Sequence, residues 1–249
     1  MQTFYSQQGE DIYIYNYFIN KFCSDGIFIE LGAMNGLIYS NTKYFEDNLG
    51  MTGVLIEPTA QYNELIKNRP NCKCYNLAVN YTKDKVKFIG DYATAGLVDT
   101  MNDTFRKGWH SNSIEYEVDG EPISEILNKS NVKYIDLITI DVEGGEEVVL
   151  KTLDFNVPIY VICIELDGHN PEKDERCRAI LIENGFTFNK RFLINEFWIN
   201  NNYFRKDLLY DTAIEKKTFK DSIFEIGHFP YLERGLIHEI ENVISHSIP

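Results

Sequence analysis

Apolar and polar positions alternate between short apolar runs and amphipathic stretches along most of the chain. Residues 27–31 (IFIEL), 53–57 (GVLIE) and 72–79 (CKCYNLAV) read as the first three strands. VKFIG (86–90) reads as a short strand or β-arm and IEYEVDG (114–120) as a further one. The near-continuous apolar runs YIDLITID (134–141) and PIYVICIEL (158–166) have the character of central parallel strands, buried on both faces. FTFNKRF and NEFWINNNYF, joined by a short connection, predict a closing pair with one antiparallel strand near the edge. Helical spacing occupies about 8–22, 40–50 and 61–67, the last closed by Arg69-Pro70. Further helices are expected after Pro122, over about 146–154, and over 171–185, ended by Gly185.

Strands alternating with helices predict an α/β protein built on a doubly wound, mostly parallel sheet with helices on both faces. Residues 91–113 show no period and read as a long loop. A final stretch, 211–249, is expected to be an extension packed on the domain formed by 1–210, with no assigned role.

Composition narrows the class. The chain has 249 residues, 44% hydrophobic and 25% charged, ordinary values for a globular domain. No apolar run is long enough to span a bilayer, and the N-terminal segment MQTFYSQQGED lacks the basic and apolar parts of a signal peptide. Cys23, Cys72, Cys74, Cys163 and Cys177 are odd in number and form no CxxC pair, which predicts free thiols and a cytoplasmic setting. A formal net charge of −14 opposes nucleic acid as a partner. A small-molecule or glycan acceptor is expected instead, and a homo-oligomer is compatible with the sequence.

Candidate chemistry gathers at the strand ends, where open parallel sheets bind ligands. The segment FIELGAMNG places Glu30 at the end of the first strand, followed by Gly32 and Gly36. The second strand ends in Glu57, an acid placed to accept hydrogen bonds from ribose hydroxyls. The glycines do not follow the G-x-G-x-x-G spacing that cradles a pyrophosphate, so a dinucleotide is the weaker reading. S-adenosylmethionine (SAM), cationic and without phosphate, suits two acidic strand tips better. Asn76 and Ala78 end the third strand, where an adenine edge would lie.

The fourth strand runs into DVEGGEE and the fifth into ELDGH. Glu146 and Glu147 are expected simply to face a helix dipole. Asp141 and His169 are the candidate bases for a hydroxyl acceptor. Asp141, Glu143, Glu165 and Asp167 offer oxygen ligands that Mg²⁺ prefers, but they follow no recognised ligand spacing, so no metal is expected. Tyr92, Trp109, His110 and Trp198 are candidates to contact a sugar.

Several segments together resemble the FkbM family of SAM-dependent methyltransferases, from Tyr5 to about Phe204. SQQGED (6–11) is similar to its N-terminal motif, and GIFIELGAMNG followed by Ser40, Asn41 and Thr42 resembles its SAM loop and the next helix. TGVLIEP, with Glu57 and Pro58, resembles the ribose-binding strand, and NLAV the adenine-side strand. IDLITIDVEGGEEVVLKTL resembles the hallmark I-D-x-L-K-I-D-x-E-G motif, with Thr139 where the family often has lysine. The resemblance implies a Rossmann-like fold of seven strands, the last antiparallel, and O-methylation of sugars or polyketide-type products. It carries SAM contacts onto Gly32, Asn35, Glu57 and Asp141, with Gln7 and Asp11 near the cofactor pocket. Glu30, Ala33, Gly36, Ser40, Asn41, Thr42 and Pro58 fall within the same matching segments.

Overall fold

The computed structural model describes residues 3–18, 22 and 25–201. Cys23 and the 211–249 extension lie outside these described residues. Helix α1 (Glu10–Phe18) precedes β1 (Ile27–Leu31), α2 (Lys43–Leu49), β2 (Thr52–Ile56), α3 (Tyr62–Asn68) and β3 (Lys73–Tyr75). A smaller layer follows: β4 (Ala78–Val79), β5 (Lys85–Ile89), β6 (Gly96–Leu97), α4 (Asp103–Trp109) and β7 (Glu115–Glu121). The chain then returns through α5 (Ile123–Lys129), β8 (Ile135–Ile140), α6 (Glu146–Thr152), β9 (Ile159–Glu165), α7 (Pro171–Glu183), β10 (Thr187–Phe192) and β11 (Asn195–Ile199).

The main sheet has seven strands in the order β10-β11-β9-β8-β1-β2-β3. β1 pairs in parallel with both β2 and β8, and β8 with β9. β11 runs antiparallel to β9 and β10, so the sheet is mixed at one side as the short closing connection predicts. This is an α/β arrangement, a mostly parallel sheet linked by helices, as the alternation of strands and helices predicts. Strand order reverses at the β1–β8 boundary, and such a switch point opens a crevice beyond the strand carboxyl ends.

Pleating sends alternate strand residues into two cores. Ile29, Ile56, Ile138 and Ile162 pack against α5, α6 and α7 through Ile126, Val149 and Leu181. Phe28, Leu55, Leu137 and Val161 face the other way, onto Ile14 of α1, Phe45 of α2 and Leu65 of α3. All six residues of β8 are buried, as its unbroken apolar run implies.

Two expectations are corrected. Residues 72–79 form two strands rather than one: β3 pairs with β2, while β4 joins the second sheet, ordered β4-β7-β5-β6. The break falls at Asn76, whose amide donates to the carbonyls of Glu57 and Thr59 at 2.9 and 3.3 Å and turns the chain away. Residues 91–113 are not a plain loop, since they contain β6 and α4. Asn102 caps α4 by accepting from the backbone of Thr104 and Phe105, a start signal present in the sequence as N-D-T-F.

Candidate functional site

A cavity of about 350 Å³ opens at the carboxyl ends of β1, β2, β8 and β9, and the β4–β6 layer covers it. Gly32 closes the gap between two strands. Its φ is +78°, and a Cβ there would lie 2.0 Å from the carbonyl oxygen of Asp141, so only glycine lets β1 pass the end of β8. Five non-glycine residues have positive φ among those described, and three of them, Met34, Tyr39 and Glu143, line this cavity. Such backbone strain concentrates at functional sites.

Glu57 sits at the β2 end of the cavity and is 3% exposed. Its carboxylate accepts one hydrogen bond from the Met34 N–H and one from the Thr59 N–H, both at 2.8 Å. Burial raises its pKa, partly offset by those two bonds. No lysine or arginine among the described residues forms an ion pair with it. Each oxygen keeps acceptor capacity, which is what a pair of ribose hydroxyls requires.

Three buried polar atoms lining the same cavity have no hydrogen-bond partner: Gln8 Oε1, Asn41 Oδ1 and Thr139 Oγ1. Buried polar groups are normally satisfied, so orphans gathered around one space mark a ligand's place. Gln8 Oε1 and Asn41 Oδ1 are acceptors, and an ammonium group is a donor with three N–H bonds. A cationic amino-acid moiety at the β1 side and a ribose at Glu57 are thus both provided for, and the residues present fit SAM.

Glu30 has a different role from the one its strand-end position suggests. Its carboxylate accepts from Ser40 Oγ (3.0 Å), the Asn41 N–H (2.7 Å) and Thr42 Oγ1 (2.6 Å), and the Arg69 guanidinium lies 3.4 Å away. Arg69 is fully buried and also bonds Glu46, the Gly36 carbonyl (3.2 Å), Ser40 and Thr42. Glu30 borders the cavity, but its charge is spent on holding the loop after β1.

At the β8–β9 side the acids are arranged otherwise. Asp141, Glu143 and Glu165 each bring a carboxylate oxygen to within 4.8 Å of the others. Asp141 and Glu165 share a side-chain hydrogen bond. Burial raises both pKa values, with the charges of Glu146, Glu30 and Asp167 adding to the rise at Asp141 and that of Asp141 adding to the rise at Glu165, while the shared bond lowers Asp141. Burial, then the charges of Asp141, Glu146 and Asp167, push Glu143 up to about 9. Beyond them His169 holds its Nδ1 against Asp167, whose other oxygen accepts the His169 N–H at 2.8 Å. Asn102 donates to the His169 carbonyl at 2.9 Å, and Phe105 packs edge-on at 5.4 Å.

A family model described as a methyltransferase FkbM domain matches residues 30–188. The chain belongs to the FkbM methyltransferase family, and its cofactor is SAM. No functionally curated protein matches it in sequence. Among solved structures, the fibrillarin/Nop5p complex is 14% identical, over 78% of this chain and 79% of that one, with a TM-score of 0.41. Aeropyrum pernix fibrillarin with natively bound S-adenosyl-L-methionine is 15% identical over 78% and 73%, TM-score 0.39. M. capricolum TrmK in complex with S-adenosyl-homocysteine is 12% identical over 90% and 80%, TM-score 0.38.

In this FkbM methyltransferase, Gln7, Glu30, Gly32, Asn41, Glu57, Pro58, Ala78, Asp141 and His169 line the cavity. Ala33, Asn35, Gly36, Ser40, Thr42, Asn76 and Asp11 are not among its lining residues, and most of them hold its walls in place. Asn35 accepts from the Leu37 and Ile38 N–H groups, fixing the turn after Gly32. A Cβ on Gly36 would strike the Arg69 side chain at 2.6 Å. Asp11 is fully buried and gathers Ser6 Oγ with the N–H groups of Tyr5, Ser6 and Ile12, while burial lifts its pKa to about 6. Glu146 binds Lys173 at 2.5 Å and Glu147 chelates Arg176 at 2.8 Å, so both do more than face a helix dipole.

Of the aromatic candidates, Tyr92 and Trp109 line the cavity. His110 instead holds the Thr94 carbonyl and Ser113, and Trp198 lies in the core. Gln8, within the SQQGED segment, and Phe105 also line the cavity. Gln8 stands beside the expected Gln7, and Phe105 follows the Asn102 cap.

Proposed function

We propose that this methyltransferase acts on a hydroxyl of a sugar, glycan or sugar nucleotide. The observation that carries the reading is the imidazole of His169, held by Asp167 at the cavity wall. A hydroxyl must lose its proton as it attacks, and a positioned base supplies roughly 10²–10⁴-fold. Asp167 occupies Nδ1, which leaves Nε2 as the nitrogen that accepts. Asp141 is the weaker base, because its carboxyl shares a hydrogen bond with Glu165.

Bound SAM supplies a methyl group on a positively charged sulfur. The protein's part is to align it: Glu57 grips the ribose side, the orphan acceptors orient the amino-acid side, and the acceptor enters from the β8–β9 side. Tyr92 (47% exposed), Phe105 and Trp109 (66% exposed) form the aromatic side of that entrance. The acids opposite favour a polar acceptor over a lipid or polyketide chain. The free thiols of Cys72, Cys74, Cys163 and Cys177 support a cytoplasmic setting. No helix among the described residues is long and apolar enough to cross a membrane.

The test is methyl transfer from labelled SAM to a panel of free sugars, sugar nucleotides, oligosaccharides and polyketide alcohols. Alkali-stable methyl ether on a sugar is the expected result, with kcat falling about 10²–10⁴-fold in His169→Gln. Transfer confined to polyketide alcohols, or SAM binding with no turnover on any acceptor, would contradict the sugar reading.

A further inference from the structure

We propose that Asp141, Glu143 and Glu165 bind a divalent metal ion, Mg²⁺ or Mn²⁺, at the acceptor side of the cavity. The proposal deepens the reading above, since the ion would coordinate an acceptor hydroxyl, but ion binding itself needs no methyl transfer.

Topology brings the ligands together. Ile140 of β8 pairs with Ile164 of β9, so Asp141 and Glu165 emerge side by side. Glu143 returns toward them through a left-handed turn, φ +52°, followed by Gly144 at +104°. One oxygen from each residue lies within 4.8 Å of the other two. Around an octahedral ion with metal–oxygen distances of about 2.1 Å, ligand oxygens stand about 3.0–4.2 Å apart, so small side-chain adjustments close the site.

A second observation is independent of the acids. Thr139 lies on β8 two residues before Asp141, which follows the last residue of that strand, and it pairs with Cys163 of β9, two residues before Glu165. Its side chain lines the same cavity, is 1% exposed, and its hydroxyl has no partner. It is placed to bond a water held by the ion. Behind the cluster a further space of about 20 Å³, bordered by Glu143, Glu165 and Asp167, has room for one such water. Mg²⁺ characteristically keeps several waters and takes only a few protein carboxylates.

Charge points the same way. Several buried acids that serve the fold have cations: Glu30 and Glu46 have Arg69, Glu146 has Lys173, and Glu196 has Arg178, while Asp11 is held by hydrogen bonds from Ser6, Tyr5 and Ile12. No lysine or arginine among the described residues forms an ion pair with Asp141, Glu143 or Glu165. The SAM-fitting groups do not use this cluster up. Glu57 follows β2 and Glu165 ends β9, on opposite flanks of the central β1–β8 pair. A metal here would lower the pKa of a coordinated acceptor hydroxyl, and His169 would then take its proton.

The experiment uses the full chain, stripped of metal and titrated with Mn²⁺, with free ion followed by electron paramagnetic resonance. One ion per chain is expected. Glu143→Gln and Glu165→Gln should each weaken uptake by more than about tenfold. Glu172→Gln, on the outer face of α7, should leave it unchanged. Absence of stoichiometric uptake by the wild type, or equal uptake by both cavity variants, would overturn the proposal, and the wild-type stoichiometry decides even if a variant fails to fold. Calorimetry with S-adenosylhomocysteine on the same preparation separates the two readings: binding of the nucleoside without Mn²⁺ uptake removes the metal and leaves the methyltransferase site standing.

Discussion

Two clusters of carboxylates flank the end of β1, and they do opposite things. Behind the strand, Glu30 and Glu46 close on Arg69, which is fully buried and bonded throughout. In front of it, Asp141, Glu143 and Glu165 crowd together, and none of them is ion-paired to a cation among the described residues. The first cluster has every charge answered from within the chain and therefore belongs to the fold. The second is stable only with protons retained or a cation supplied from outside, and therefore belongs to ligands. Charge pairing, rather than strand-end position, separates these two clusters.

The largest effect should come from breaking the paired cluster. Arg69→Met leaves Glu30 buried without a counter-charge and Glu46 with only Lys43 at 3.8 Å, and about 3–5 kcal/mol of stability should be lost, read by urea unfolding. A loss under about 1 kcal/mol would show that this cluster is not structural. Gly32→Ala sets a Cβ 2.0 Å from the Asp141 carbonyl at a positive φ. It should cost about 1–3 kcal/mol or more and weaken binding of S-adenosylhomocysteine, both measurable on purified protein.

The unpaired cluster should reveal itself in pH dependence. Glu143 titrates near 9 in the folded protein against an ordinary value of 4.5. Between those limits the folded state holds a proton that the unfolded state has lost, so stability falls as pH rises through the window. Metal-free protein should melt progressively lower from about pH 5 to pH 9, and Glu143→Gln should flatten the upper part of that slope. The smallest effect belongs to Lys67–Glu64, paired at 2.8 Å but exposed on both sides. Glu64→Ala should change stability by no more than about 0.5 kcal/mol, which shows that burial and not distance gives a pair its worth.

Much of this was legible in the sequence, for identifiable reasons. Apolar runs that end in acids marked β1, β2, β8 and β9, because a parallel strand buried on both faces leaves little choice of residue. Glu57 and Asp141 could therefore be placed at the cavity before any coordinates. Whether an acid is answered could not be read, because its partner is brought in by tertiary packing. Arg69 looked like the end of a helix, yet its side chain reaches back across the sheet to Glu30, 39 residues away. Glu30 was accordingly expected to be a free carboxylate and proves to be an internal one. The helix at 103–109 was hidden by the polar residues around it, although Asn102 announced its start. Trp198 stands between Phe197 and Ile199 on β11, and only the packing of that strand shows that it turns into the core.

The central claim is that an unpaired buried acid at a strand tip serves the cofactor. Calorimetric titration of the wild type and Glu57→Ala with S-adenosylhomocysteine tests it most directly. The account predicts a single site in the wild type and an affinity lower by about 1.5–3 kcal/mol in the variant, with an unchanged far-ultraviolet spectrum. Equal affinity in the two proteins would contradict it.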